Sequence, residues 1–103
     1  MIRFEILLPL FYNDGRPQSS ERKFLETDDE LVQQFGATST DTVVARGRWL
    51  YQSTIYQDQL VRVRIDVEET PENSQAIRTI KETLKARFEQ LDIWITAHHI
   101  EII

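Results

Sequence analysis

Two adjacent histidines, His98 and His99, are the first residues of this sequence that could do chemistry. Imidazole serves both as a metal ligand and as a general base near neutral pH. Side chains of neighbouring strand residues point to opposite faces, so the pair diverges and cannot easily grip one ion. Glu101 shares the face of His99 and brings the set to two ligands. Structural zinc needs four protein ligands and catalytic zinc usually three. The sequence therefore assigns no metal, and the histidines read as surface or half-buried residues near a strand end.

A second group gathers on one side of the expected sheet: Arg3, Glu5, Arg46, Arg48, Arg62, Arg64, Asp66 and Glu68, with Trp94, Thr96 and His98 from the last strand. Mixed charges on facing strands pair across a sheet and keep that face wet. This solvated face is the favoured reading. A homodimer interface comes next, because tryptophan and arginine are enriched at contact centres. Nucleic acid comes last. Domains of this topology that bind RNA stack bases on central-strand aromatics, whereas the third strand here presents Arg62, Arg64, Asp66 and Glu68. No nucleic-acid partner is expected.

The third group is Gly47-Arg48-Trp49-Leu50-Tyr51 with Tyr56 and Asp58. A glycine inside a strand marks a bulge or a close backbone approach, and Arg48 could meet Asp58 across a hairpin. One reading is a small-molecule pocket at the sheet edge. The favoured one is that Trp49 and Tyr51 cover an end of the core while their polar tips reach water. The carboxylates Asp28-Asp29-Glu30 suit the positive end of a helix, and their spacing is not that of a calcium loop. Asp14 is a turn residue. With only Gly15, Gly36 and Gly47 available, no phosphate loop or dinucleotide fingerprint is possible, and no Gly-x-Ser-x-Gly elbow occurs. No cofactor is implied.

Residues 3–10 alternate apolar and polar, the mark of a strand with one buried face. Asn13-Asp14-Gly15-Arg16-Pro17 then reads as a turn. Ser19 to Phe35 reads as helix, with Phe24, Leu31 and Phe35 recurring at near-helical spacing, Leu25 and Val32 beside them, and Gly36 as cap. Thr27-Asp28-Asp29-Glu30 is a capping box, so the helix start could instead fall at Asp28. Thr42 to Tyr51 and Ile55 to Glu68 read as strands joined by a hairpin at Gln52-Ser53-Thr54. Thr70 caps a second helix with Pro71 in its first position. That helix carries Ile77, Ile80, Leu84, Phe88 and Leu91 as its apolar stripe and Arg78–Glu82 as an exposed pair. Ile93 to Ala97 is strand-like, and Ile100 to Ile103 continues it or forms a short extra strand. The order β-α-β-β-α-β, with one apolar face per element, predicts an α+β two-layer sandwich: a ferredoxin-like, four-stranded antiparallel sheet with two helices on one face.

The chain of 103 residues fits one domain spanning 1–103. Its 41% hydrophobic and 28% charged content is globular. A net charge of −5 weighs against non-specific binding to nucleic acid or anionic membranes. There is no cysteine, so disulfides and thiolate zinc sites are excluded, which fits a cytoplasmic location. Ile6 to Tyr12 is too short for a membrane span and lacks the flanks of a signal peptide.

Lys23-Phe24-Leu25-Glu26-Thr27, Glu30-Leu31-Val32, Phe35-Gly36, Arg46-Gly47-Arg48-Trp49, Leu60-Val61-Arg62 and Asp92-Ile93-Trp94-Ile95-Thr96 give the chain, over its full length, a resemblance to a group of small bacterial proteins with no assigned activity. The resemblance implies a stand-alone bacterial domain and carries over no functional residue. The expected function is a non-enzymatic interaction or regulatory module that forms a homodimer through the sheet. The alternative is an enzyme or small-ligand binder of the dimeric α+β-barrel type, with His98 as base. The candidate ligand or interface residues are Arg48, Tyr51, Arg62, Arg64, Trp94 and His98; none is assigned as catalytic.

Overall fold

The computed structural model describes residues 1–103. The elements are β1 (Ile2–Pro9), α1 (Arg22–Phe35), β2 (Ser39–Thr40), β3 (Ala45–Tyr51), β4 (Thr54–Val67), α2 (Pro71–Arg87) and β5 (Ile95–His99). β4 is the spine. Its C-terminal half pairs antiparallel with β1, from Leu60 opposite Pro9 to Val67 opposite Ile2. On its other edge it pairs first with β2 and then, from Leu60 opposite Ala45 to Thr54 opposite Tyr51, with β3. β2 and β3 therefore act as one interrupted strand, and β5 pairs with the far edge of β1. The βαββαβ order and the antiparallel sheet with two helices are as the alternation predicts.

The core follows the period of the strands. Ile2, Phe4, Ile6 and Leu8 of β1 and Val63, Ile65 and Val67 of β4 meet Leu31 of α1 and Ile77 and Leu84 of α2, with Phe88 and Ile93 just beyond that helix. Phe24 packs edge-on against Phe88 at 5.1 Å between ring centroids, a favoured geometry for aromatic pairs. The helices are also joined by charge. Arg87, with only 12% of its side chain exposed, donates to Glu30 at 2.7 Å and to Thr27 Oγ1 at 2.9 Å.

α1 begins at Arg22, not Ser19 or Asp28. The Ser19 N–H is taken by the Tyr12 hydroxyl, and the Arg22 N–H by Ser20 Oγ. Thr27 sits inside the helix and donates back to the Lys23 carbonyl at 2.7 Å, so it caps nothing. Asp28 and Glu30 therefore lie away from the helix start; Asp28 accepts from Thr38. Leu25 and Val32 face solvent rather than the core. At α2 the expected cap is present: Thr70 accepts the Asn73 N–H at 3.1 Å, with Pro71 following. That helix stops at Arg87, because Glu89 turns left-handed (φ 52°) and the Gln90 N–H returns to the Lys85 carbonyl. Leu91 is left outside and exposed. Glu82 pairs with Lys85 rather than Arg78.

The strand bounds also shift. β3 starts at Ala45 because 41–44 loop out between β2 and β3. β5 runs to His99, and Ile100 adds one bond to the Met1 carbonyl before the chain leaves the sheet. Ile100 to Ile103 forms no strand. The largest departure is the β3–β4 hairpin. β1 turns away after Leu10 binds the Gln59 carbonyl, so residues 45–59 extend past the sandwich as a two-stranded arm. Trp49 and Tyr51 belong to this arm and do not cover the core; Tyr51 is exposed.

Candidate functional site

The register decides what the helix-free face carries. Since Ala45 opposes Leu60, Gly47 opposes Asp58 and Trp49 opposes Tyr56, these residues share a face with Arg62, Arg64 and Asp66. Arg46 and Arg48 oppose Gln59 and Gln57 and project to the other side. They do not join that face as expected, and Arg48 does not pair with Asp58.

The free face has two halves. Over the sandwich it is an ionic lattice. Arg3 donates twice to Asp66, at 2.8 and 3.0 Å, a bidentate geometry. This bond holds the Asp66 carboxyl below its ordinary range and the Arg3 guanidinium above its own. Arg64 pairs with Asp41 at 2.8 Å. Arg62 lies between Asp41 and Glu5, at 3.5 and 3.8 Å, and its buried Nε makes no hydrogen bond. His98 Nε2 is 2.8 Å from Thr96 Oγ1 and 3.7 Å from Glu5. His99 turns away, toward Glu69 at 3.1 Å.

Where the arm leaves the body the face becomes apolar and concave. A cleft of about 380 Å³ opens there. Leu7, Pro9, Leu60 and Gly47 border it from the sheet, and Gln90, Asp92, Ile93 and Trp94 from the segment between α2 and β5. Trp49 and Asp58 border it from the arm. Trp49 stacks on Tyr56 with centroids 4.7 Å apart and donates its Nε1–H to Asp58 Oδ2 at 2.7 Å. These two contacts fix the indole on its ring face and its edge together. The absence of a side chain at Gly47, directly opposite Asp58, keeps that part of the strand low. Trp94 is anchored differently. Its carbonyl accepts the Leu7 N–H at 3.0 Å, while its indole stays 65% exposed.

The sequence-derived candidates thus separate. Trp94 and Arg48 border the cleft, with Arg48 reaching it from the strand that turns its side chain the other way. Arg62, Arg64 and His98 belong to the ionic lattice. Tyr51 stands near the arm's tip, 6.0 Å from Trp49. His98 lies four residues along β5 from Trp94, ~13 Å at strand rise. The contributions of Leu7, Pro9, Gln90 and Asp92 depend on where β1 stops and how α2 ends, and no local pattern announces either. Chemically the cleft offers aromatic and aliphatic surface and two carboxylates, Asp58 held by the Trp49 N–H and Asp92 paired with Lys81 at 3.1 Å, while the Gln90 amide is already bonded to Asn13 and to the Phe11 and Phe88 carbonyls.

No family model matches the chain, and no curated protein matches it in sequence. Solved structures do match its fold. A phage SAM lyase in complex with S-methyl-5'-thioadenosine superposes with a TM-score of 0.71 at 16% identity, over 95% of this chain and 80% of that one. The apo state of a phage SAM lyase gives 0.69 at 18% identity, over 94% and 78%. The divalent cation tolerance protein CutA1 from Thermus thermophilus gives 0.62 at 17% identity, over 97% and 84%. At such identities the likeness is one of fold, and the chain shares the ferredoxin-like α+β architecture of these proteins.

Proposed function

We propose that this chain is a self-associating module whose sheet-face cleft binds a small ligand of the adenine-nucleoside class. The observation that carries the reading is the exposed Trp94 indole beside a cleft whose other wall is the fixed Trp49–Asp58 pair. Binding sites are concave and mostly apolar, with a few placed polar groups. An adenine ring offers two π faces to such walls, and an exocyclic amine or ribose hydroxyl offers a donor to Asp58. The S-methyl-5'-thioadenosine held by one fold neighbour belongs to this chemical class and supports the choice of probe. Self-association is favoured by the apolar residues that one copy leaves in water. Leu50 and Ile55 face each other on the arm at 70% and 57% exposure, and Leu91 lies near the cleft at 45%.

Tryptophan fluorescence titrated with S-methyl-5'-thioadenosine tests the binding. A saturable change is expected. Trp94→Ala should weaken it ~10-fold or more, since stacking on an aromatic contributes roughly 1–3 kcal/mol per base. No saturable change up to millimolar ligand would remove the proposal. Light scattering tests the association. A particle of 12.2 kDa at high micromolar concentration would remove the self-association.

A further inference from the structure

A second cluster of reactive side chains lies away from the cleft, where residues 10–19 fold back on themselves. The Gln18 N–H binds the Leu10 carbonyl and the Tyr12 N–H the Arg16 carbonyl, so Ser19 is carried back to Tyr12. The Tyr12 and Ser19 hydroxyls share a hydrogen bond of 2.6 Å, and the Ser19 N–H adds a second at 3.1 Å. Lys23, the second residue of α1, donates from Nζ to the same phenol oxygen at 3.0 Å and to Gln18 Oε1 at 3.0 Å. Only 17% of the Lys23 side chain is exposed, and Tyr12 is 8% exposed, whereas Ser19 itself is open to solvent. Cations also lie over the Tyr12 ring: Lys23 at 4.8 Å and Arg16 at 4.9 Å. The carboxylates facing the cluster are Glu89, 3.9 Å from Lys23, and Asp14, which is paired to Arg16.

We propose that Ser19, Tyr12 and Lys23 form an acyl-transfer site in which Ser19 Oγ is the nucleophile toward small acyl esters. The buried phenol has three donors aimed at its oxygen once it is ionised: Ser19 Oγ–H, Ser19 N–H and Lys23 Nζ. Hydrogen bonds to the charged form favour that form, and the first-named of them, from Ser19, leads the lowering of the phenol below its ordinary value of 10.0. A tyrosinate so held is a general base in contact with an exposed hydroxyl, the nucleophile–base arrangement that covalent catalysis requires. Lys23 is the positioning residue that keeps the phenolate in place.

In the forward step Ser19 Oγ bonds to the acyl carbon and passes its proton to Tyr12 Oη. The bond from the acyl carbon to the alcohol oxygen breaks, and the departing oxygen takes the proton from Tyr12. Water then bonds through its oxygen to the acyl carbon and passes a proton to Tyr12; the bond from the acyl carbon to Ser19 Oγ breaks, Ser19 Oγ takes that proton back from Tyr12, and the free acid leaves. Nothing beyond the ester and water is consumed. Ser19 is exposed, so small acyl esters reach it directly from solvent. Ser20, exposed but tied through its Oγ to the Arg22 N–H, is a built-in control.

The test is incubation of the full chain with p-nitrophenyl acetate, followed by release of 4-nitrophenolate and tandem mass spectrometry of the peptide holding both serines. The expected result is acetyl on Ser19 at least tenfold over Ser20. Release should rise with pH through a midpoint below that of free tyrosine. Tyr12→Phe should lower Ser19 acetylation tenfold or more, and Lys23→Met should move the midpoint upward, each with circular dichroism unchanged. Equal labelling of the two serines, labelling confined to lysines or the amino terminus, or a Tyr12→Phe protein that reacts like the parent would each overturn the site. Ser19→Ala removes the nucleophile from an exposed position, so reactivity persisting in that variant would do the same.

Discussion

The sandwich body and the β3–β4 arm are built from the same kind of strand and meet opposite fates. In the body, the odd residues of β4, Val63, Ile65 and Val67, are buried under two helices. Its even residues, Arg62, Arg64 and Asp66, are neutralised pairwise by Glu5, Asp41 and Arg3. In the arm the two sides differ. Leu50 and Ile55 are exposed on one, and on the other Trp49 stacks on Tyr56, bonds Asp58 and borders the cleft. A two-stranded ribbon is marginal by itself in water. The lesson is that one 14-residue strand does two jobs: its second half holds the fold, and its first half supplies a wall for the cleft and leaves apolar surface exposed.

Substitutions should separate these halves by size of effect. The largest belongs to the body. Phe88 is fully buried and closes on Phe24, so Phe88→Ala should cost about 3–5 kcal/mol in denaturant unfolding. A loss under 1 kcal/mol would mean that the layers are not packed as described. Next comes the helix–helix tie. Arg87→Ala leaves Thr27 and Glu30 without their donor. Because the carboxylates are half exposed, the loss should be about 1–2 kcal/mol. A third change sharpens the arm alone. Gln52 and Ser53 turn the hairpin at φ 48° and 65°, a conformation that asparagine and glycine adopt with less strain. Gln52→Asn with Ser53→Gly should slow amide exchange in β3 by up to about fivefold, equivalent to ~1 kcal/mol, and leave exchange in β1 unchanged. The smallest effect on folding is expected in the arm's apolar pair. Leu50→Ser with Ile55→Ser should leave the stability of a single copy within about 0.5 kcal/mol, as exposed positions do, while weakening self-association measured by sedimentation. An equally large fall in single-copy stability would show that the arm packs on the body after all.

Most of the architecture was legible because it rests on period. The alternation of Val61 to Glu68, the Thr70-Pro71 start and the stripe from Ile77 to Phe88 are local facts, and tertiary packing agrees with them. What local pattern misjudged had two causes. The box at Thr27 is sound chemistry at a helix start, but the hydroxyls of Tyr12 and Ser20 begin the helix earlier. The face of Arg46 and Arg48 depends on the two-residue turn at Gln52 and Ser53, which puts Thr54 in β4 opposite Tyr51 rather than in the turn, and a shift of one residue reverses every side chain. The candidate site was legible only in pieces. Gly47, Trp49 and Asp58 read as a possible pocket, and Trp94 as a contact residue. That they adjoin depends on β1 ending at Pro9 and on the left-handed Glu89 that stops α2, features whose signals are short and easily read as ordinary turns. The Tyr12–Ser19–Lys23 cluster needs the fold-back of residues 10–19, which Asn13-Asp14-Gly15 hints at without fixing which residues come together.

The chain contains two tryptophans, and they stand on the two walls of the cleft. Nitrogen-15 correlation spectra therefore report the site through two indole N–H signals. Titration with S-methyl-5'-thioadenosine should move both signals along saturable curves with one shared Kd, while the amides of β5 beyond Thr96 stay in place. If both indole signals hold still at millimolar ligand, or only Trp94 moves and never saturates, the cleft is not a nucleoside site and the account of this face is wrong.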